Sequence, residues 1–248
     1  MSSEYTGLEA ADWPKRFEAI LTGFMLVIGG LCAGIVVSSV AIQFIQLLGI
    51  QTITTPPYLV GTIAQGIGFG LTVAAFVLFR DYDDLIGLRR PTWRDLGWII
   101  GGIIALLLTA VGASIVFSQL GVETAQHQIQ QIGAENPELL LYMIVLAFLV
   151  IGPGEELLFR GAIQGALRRV YAPIPGILIA SALFSMPHII ALSGTTGSTP
   201  AYLAVVFVLG IILGSIYEIS DNLLVPALVH SAYNAFTFFN MYLMATAT

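Results

Sequence analysis

Two adjacent glutamates and an arginine stand in an otherwise apolar stretch of the chain, at Glu155, Glu156 and Arg160. Glu156 and Arg160 are four residues apart with the acid first, which is the favoured order for an ion pair on a helix. Glu155 points about 100° away from Glu156 around the helix axis and has no basic residue four positions on. We therefore predict an internal Glu156–Arg160 pair and a Glu155 carboxylate that is left free for chemistry.

A histidine on the next apolar segment is expected at the same depth as this carboxylate. Glu155 lies 16 residues before Tyr171, and His188 lies 16 residues after Ala172. If the two segments form an antiparallel hairpin around this turn, both side chains lie about 24 Å from it along their helices. The spacing therefore allows the Glu155 carboxylate to meet the His188 imidazole.

A second histidine and an amide lie on the last apolar segment, at His230 and Asn234. They are four residues apart, so both face one side of a helix. An imidazole N–H and an amide together suit a developing oxyanion, and they would equally suit hydrogen bonds between helices. For either group to reach Glu155, the 218–226 connection with Pro226 must dip inward or the last helix must tilt.

These groups form a set that can activate water. Glu155 would take a proton from a water molecule, and His188 would help to orient that water. His230 and Asn234 would stabilise the tetrahedral intermediate of an attack on a carbonyl. Ionisable side chains within an apolar span are costly and are usually functional, which favours this interpretation over a purely structural one.

The composition restricts the class of protein that positions these groups. Of 248 residues, 57% are hydrophobic and 10% charged, with a net charge of −6. A soluble domain is roughly a quarter charged, so the chain is no soluble globular protein, no disordered chain and no nucleic-acid binder. The one cysteine, Cys32, excludes an intramolecular disulfide.

Seven segments are apolar and long enough, or nearly so, to cross a bilayer that needs about 20 helical residues. They are residues 18–48, 58–79, 96–118, 138–170, 173–192, 201–218 and 223–244. We predict an all-α polytopic membrane bundle of about seven helices, with the catalytic core in the last four. Residues 1–137 would hold the N-terminal helices and loops, and residues 138–248 the core. The fourth segment should kink at Gly152-Pro153-Gly154.

Basic residues fix an expected orientation. All nine Lys and Arg residues fall before the first segment, between the second and third, or late in the fourth. The loops 49–57, 119–137 and 193–200 have none, although 119–137 is a candidate for a short surface helix. The positive-inside rule therefore predicts a multi-pass cell-membrane protein with a cytoplasmic N-terminus. His127, in the 119–137 loop, is expected in solvent. The first segment is too long for a signal peptide and is expected to be retained.

The three motifs resemble those of the CPBP family, the type 2 CAAX prenyl endopeptidases and bacteriocin-processing (Abi) proteins. The residues concerned are Glu155, Glu156 and Arg160 (EExxxR), Phe184 and His188 (FxxxH), and His230 and Asn234 (HxxxN), in this order on three segments. The resemblance covers about residues 138–244. It implies an intramembrane endopeptidase that acts on membrane-associated peptides or lipidated proteins, including prenylated CAAX substrates.

Residue roles also follow from the resemblance. Glu155 is implied as the water-activating base with His188 as its partner, and His230 with Asn234 as the oxyanion pair. Glu156 and Arg160 would support Glu155, and Phe184 would line the cavity. Such proteins are often called metalloproteases, and Glu155, His188 and His230 could supply three zinc ligands. The sequence leaves open whether the cofactor is zinc or none.

Two other functions stay open at this point. The first is a proton-coupled transporter that uses Glu155 and the histidines as a relay, against which the chain shows no convincing internal repeat. The second is a non-catalytic scaffold or immunity protein with the same fold. The oligomeric state is not predicted.

Overall fold

Long apolar helices dominate the computed structural model, which describes residues 13–49, 55–80, 86–123, 125–193 and 198–247. In this part of the chain, six helices are long and apolar enough to cross a membrane. They are Trp13–Leu47, Pro57–Arg80, Trp93–Gln119, Pro137–Arg168, Pro173–Ala191 and Thr199–Ser220. Large apolar side chains such as Phe17 and Leu78 are 68% and 77% exposed on the outer faces of these helices. This exposure suits lipid, and the all-α polytopic prediction is confirmed.

The first three helices are α1 (Trp13–Leu47), α2 (Thr55–Arg80) and α3 (Trp93–Gln119). α1 and α2 approach so closely that a Cβ atom on Gly68 would collide with the backbone of Gly34. Such small residues let helices pack tightly where lipid offers no hydrophobic driving force. The loop 81–85 before α3, and its predicted features, lie outside the described residues.

The fourth membrane helix, Pro137–Arg168, departs twice from α geometry. It consists of α5 (Pro137–Leu146), a π-helical stretch (Ala147–Ile151), α6 (Gly152–Glu156), a second π-helical stretch (Leu157–Gln164) and α7 (Gly165–Arg168). The Gly-Pro-Gly sequence predicted a kink, and here the irregularity is spread over π turns on both sides. Glu155 and Glu156 occupy the short α segment between them. π turns are frequent at functional sites because they re-aim side chains.

The fifth membrane helix changes its winding just before His188. α8 spans Pro173–Ser185, and a 3₁₀ helix follows over Met186–Ala191. Pro187 lacks an N–H group, so the α hydrogen-bond pattern cannot continue through it. His188 therefore lies on a tighter turn than the α helix predicted over 173–192.

The last two helices are α9 (Thr199–Ser220) and α10 (Leu224–Thr246). α10 has 23 residues and corresponds to the predicted seventh segment. It is not among the six candidate spans because polar residues, including His230 and Asn234, interrupt its apolar sequence. The connection between α9 and α10 is buried, with Asn222 and Val225 both 0% exposed. With this connection buried, Nδ1 of His230 lies 2.8 Å from Oε1 of Glu156.

Residues 126–135 and 192–193 form a short helix and a two-stranded antiparallel sheet. α4 (Gln128–Glu135) is the short helix for which residues 119–137 were a candidate. Immediately before it, β1 (Gln126–His127) pairs antiparallel with β2 (Leu192–Ser193). The expectation that His127 is solvated was wrong. The residue is half-buried, and its Nδ1 atom accepts a hydrogen bond from the Ile129 amide to cap α4.

Candidate active site

The centre of the site is the Glu156 carboxylate, which is 0% exposed. Its Oε1 atom accepts a hydrogen bond from Nη1 of Arg160 at 2.9 Å, which confirms the predicted ion pair. The same oxygen lies 2.8 Å from Nδ1 of His230. Glu156 therefore ties α10 to the fourth membrane helix. The second partner, His230, lies 74 residues further along the chain, so the four-residue spacing that predicted the Arg160 pair could not reveal it.

Arg160 contacts three different groups, and its side chain is only 1% exposed. Besides Glu156, its Nη2 atom donates to the carbonyl of Gly210 at 3.0 Å. Its Cζ atom lies 4.4 Å from the centroid of the Phe184 ring, within range of a cation–π interaction. A buried guanidinium is tolerated only when its donors are satisfied, and here α9 and α8 supply the additional partners.

The contact with Glu156 defines the proton arrangement of His230. Glu156 pairs with a guanidinium and is therefore an ionised acceptor, so the Nδ1 atom of His230 carries the hydrogen. The Nε2 atom then faces the second carboxylate, at 3.9 Å from Oε2 of Glu155. That separation is too long for a direct hydrogen bond.

Glu155 is the carboxylate without a fixed partner. Its Oε2 atom is buried and makes no hydrogen bond to the described residues, while the side chain as a whole is 21% exposed. A buried oxygen with an unused lone pair is rare and invites a functional explanation. The free carboxylate anticipated from the sequence is thus present, and the imidazole nearest to it is His230.

The surroundings of His188 differ from those predicted when Glu155 and His188 were placed at equal depth. Its Nδ1 atom is 2.9 Å from the Phe184 carbonyl, which can only accept, so Nδ1 carries the hydrogen and Nε2 has the lone pair. The described residues show no hydrogen bond or ion pair between His188 and Glu155. The depth estimate assumed a regular α helix, whereas a 3₁₀ turn advances about 120° per residue and rotates the ring away.

Phe184 contacts both histidines. Its ring centroid is 4.9 Å from that of His188 and 5.8 Å from that of His230, both edge to face. Both imidazoles are therefore packed against one rigid apolar surface. The aromatic position one turn before His188 was singled out from the sequence as part of the cavity lining, and here its ring makes an edge contact with each imidazole.

Asn234 follows His230 by one turn on α10 and is half-buried. Its amide forms no hydrogen bond with any residue that the structure describes. The i, i+4 spacing places it on the same side of the helix as His230. The amide is therefore available to a bound molecule.

The residues proposed as zinc ligands do not form a metal site in the described ranges. No group of three or more His, Cys, Asp or Glu side chains there is close enough to hold an ion. Glu155 and His230 approach each other to 3.9 Å, but in the described ranges His188 does not complete a group of three with them. The zinc ligand set expected from the resemblance is thus not assembled.

Gln164 is a further buried polar residue beside the site, and it was not among the residues predicted from the sequence. Gln164 is 1% exposed and donates to the carbonyl of Gly214 at 3.0 Å, one turn beyond the Arg160–Gly210 contact. The two pairs share the same four-residue spacing on both helices, so they form a short ladder between the fourth helix and α9. The signal was present, since Gly210 and Gly214 have that spacing and allow a close approach.

The buried carboxylates, Arg160 and the histidines form a polar cluster inside an apolar helical bundle. Residues 137–236 match a family model described as Type II CAAX prenyl endopeptidase Rce1-like. This match agrees with the resemblance of residues 138–244 to the CPBP family. Searches of curated proteins and of solved structures gave no match.

Proposed function

We propose that the chain is an intramembrane endopeptidase that hydrolyses peptide bonds in membrane-associated substrates, with prenylated CAAX-type proteins as the substrate class. The observation that carries this proposal is the Oε2 atom of Glu155, which has no hydrogen-bond partner among the described residues and lies 3.9 Å from a histidine that Glu156 holds in place. The family match at residues 137–236 supports a protease. Residues 138–248 would form the catalytic core and residues 1–137 the accompanying helices.

The proposed reaction uses Glu155 as the general base. Glu155 takes a proton from water while the water oxygen bonds to the peptide carbonyl carbon, giving a tetrahedral oxyanion. The intermediate then collapses, the C–N bond breaks, and the proton on Glu155 passes to the leaving nitrogen. A free carboxylate serves both transfers, because it can accept and return the same proton.

His230 and Asn234 would stabilise the oxyanion. Nδ1 of His230 already donates to Glu156, so binding through Nε2 requires that the ring carry a second proton. Such an imidazolium also balances charge, since two carboxylates and one guanidinium leave the cluster with one net negative charge. The unused Asn234 amide would supply the second donor.

His188 would orient the attacking water. Its Nδ1 hydrogen is committed to the Phe184 carbonyl, so the Nε2 lone pair is free to accept a hydrogen bond from that water. The ring packing of Phe184 against both histidines would hold the water and the oxyanion site at a fixed separation.

The membrane context of this proposal follows from the helices and the charges. Six apolar helices support a multi-pass protein. We infer from the distribution of Lys and Arg that the N-terminus is cytoplasmic and that the protein resides in the cell membrane. A substrate with an isoprenoid or another apolar tail could reach the site while its tail stays in lipid.

The test is cleavage by purified protein in detergent or proteoliposomes. Farnesylated and unmodified versions of one CAAX-ending peptide would be incubated with the wild-type chain and with Glu155→Gln, and the products identified by mass spectrometry. We expect wild-type cleavage that Glu155→Gln lowers by about 10²- to 10⁴-fold. Equal cleavage by both proteins would exclude Glu155 as the base, and proton flux without cleavage would favour a transporter.

A further inference from the structure

The segment before the fourth helix is fastened to the turn that carries His188. We call residues 125–136, comprising β1 and α4, the outer strap. β1 pairs with β2 in the register Gln126 to Ser193 and His127 to Leu192. Nε2 of Gln128 donates to the Ile190 carbonyl at 3.4 Å. The strap thus contacts residues two to five positions after His188.

The other side of the strap is anchored in the catalytic core. Ile129 is 3% exposed and belongs to a buried cluster with Leu139, Met143 and Phe238. These partners lie at the start of the fourth helix and on α10, which are the helices that carry Glu155 and His230. The outer strap therefore connects the helices that carry Glu155 and His230 to the 3₁₀ turn that carries His188.

His127 stabilises the junction between β1 and α4 within the outer strap. It is the last residue of β1 and the N-cap of α4, where its Nδ1 atom accepts from the Ile129 amide at 3.2 Å. Side-chain caps of this kind satisfy amides that a helix cannot pair internally. Loss of the cap would loosen β1 relative to the anchored α4.

The His188 turn depends on outside support. Its 3₁₀ winding has poorer hydrogen-bond geometry than an α helix, and Pro187 offers no N–H group. Ile189 and Ile190 are 54% and 65% exposed, so packing fixes them little. The cross-strand pairing just after them is the direct restraint on where this turn ends.

We infer that the outer strap is a positioning element that holds His188 at its working distance from Glu155 and His230, with His127 and Gln128 as its positioning residues. The inference rests on the proposed peptidase function, for which it names further residues of the same site. Neither residue touches the reacting atoms, and each acts through the backbone of residues 190–193.

The first test compares His127→Ala with His127→Asn, because asparagine is a strong N-cap residue and alanine is a poor one. We expect His127→Ala to lower kcat about tenfold or more with KM little changed, since misplacement of one catalytic group affects chemistry more than binding. His127→Asn should restore most of kcat. Gln131→Ala, on an exposed position of α4, is the matched control and should resemble wild type.

The second test replaces the cap with a covalent link. Gln126→Cys and Ser193→Cys, opposite each other in the register, would be combined with Cys32→Ala and His127→Ala. Opposed residues in an antiparallel pair are close enough for a disulfide. The oxidised protein should recover kcat and lose it again on reduction. Gln126→Cys alone, in the same background, is the control.

The outcomes separate this inference from the proposed function. A wild-type kcat in His127→Ala, no rescue by His127→Asn, or failure of the disulfide to form would overturn the role of the strap. If Glu155→Gln still abolishes cleavage in those cases, the peptidase proposal stands. If Glu155→Gln cleaves like wild type, the peptidase proposal fails whatever the strap variants do.

Discussion

Two arginine–carboxylate networks in this chain differ in whether both carboxylate oxygens are hydrogen-bonded. At the start of α3, Arg89 binds Asp95 through two hydrogen bonds of 2.7 and 2.8 Å, one to each carboxylate oxygen. The amide and hydroxyl of Thr92 donate to Asp95 as well, and the Asp95 amide donates back to Thr92 to complete a capping box. Asp95 therefore has both oxygens satisfied, and the network is closed.

The Glu156 network is open by contrast. Both of its donors, from Arg160 and His230, converge on Oε1, while the buried Oε2 makes no hydrogen bond within the described residues. Next to it, Oε2 of Glu155 is also without one. Unused acceptors in a buried site cost stability, so their retention points to chemistry, whereas the closed network at Asp95 serves only the fold.

The largest effect is expected from Glu156→Gln, which tests the open network. The amide would leave a buried guanidinium without a counter-ion, and breaking such a pair costs about 3–5 kcal/mol. It would also replace the carboxylate that accepts the hydrogen bond from Nδ1 of His230. We predict a lower free energy of unfolding in mixed micelles and loss of peptide cleavage. An active and stable Glu156→Gln protein would mean that the network is not required.

Arg160→Lys separates geometry from charge in the same network. A lysine keeps the positive charge but cannot reach Glu156, Gly210 and the Phe184 face with one planar group. We expect a loss of about 1–3 kcal/mol for the unsatisfied Gly210 carbonyl and weakened pairing. Thermal unfolding measures it, with Arg90→Lys, which lies in an exposed loop position, as the control.

Asp95→Asn examines the closed network. It removes the bidentate partner of Arg89 and should lower the midpoint of thermal unfolding by less than Glu156→Gln, because Arg89 is 40% exposed and can be solvated. Peptide cleavage per folded molecule should equal that of wild type. A selective loss of cleavage would show that this region, too, is coupled to the site and would break the comparison.

The smallest expected effect concerns pH. The hydrogen bond to Asp95 raises the pKa of Arg89 above its usual value, so that network stays charged at any working pH. Burial lowers the pKa of His127 below its usual 6.5. Below 6.5 the unfolded chain binds a proton that the folded His127 resists, so the stability contributed by this cap falls as the pH falls.

Hydrogen exchange provides the measurement for His127. The Ile129 amide should lose protection as the pH is lowered from 7 to 5, after correction for the intrinsic pH dependence of exchange, and His127→Asn should remove this trend. His188 is the histidine within electrostatic range and should be substituted in parallel to separate its titration. A trend that persists in His127→Asn would assign the titration to another group.

Sequence reasoning succeeded where the physics is local or cumulative. The Glu156–Arg160 pair was predictable because four-residue spacing places both groups on one helical face. The membrane helices were predictable because hydropathy over about 20 residues determines them.

Sequence reasoning failed where tertiary packing determines the geometry. The His230–Glu156 bond depends on a buried connection around Asn222, and the position of His188 depends on the 3₁₀ turn after Ser185. Counting residues from a turn assumes uniform rise and rotation, which π and 3₁₀ segments do not have. The strands β1 and β2 are two residues each, too short for any periodic signal.

The central claim is that Glu155 is the base and Glu156 its structural neighbour, and one paired measurement tests it most directly. The kcat/KM of cleavage of a farnesylated CAAX-ending peptide and the midpoint of thermal unfolding would be determined for wild type, Glu155→Gln and Glu156→Gln. The account predicts that Glu155→Gln loses about 10²- to 10⁴-fold in kcat/KM at an unchanged midpoint, while Glu156→Gln loses both activity and stability. Full activity in Glu155→Gln, or a collapse of its midpoint like that of Glu156→Gln, would contradict the assignment.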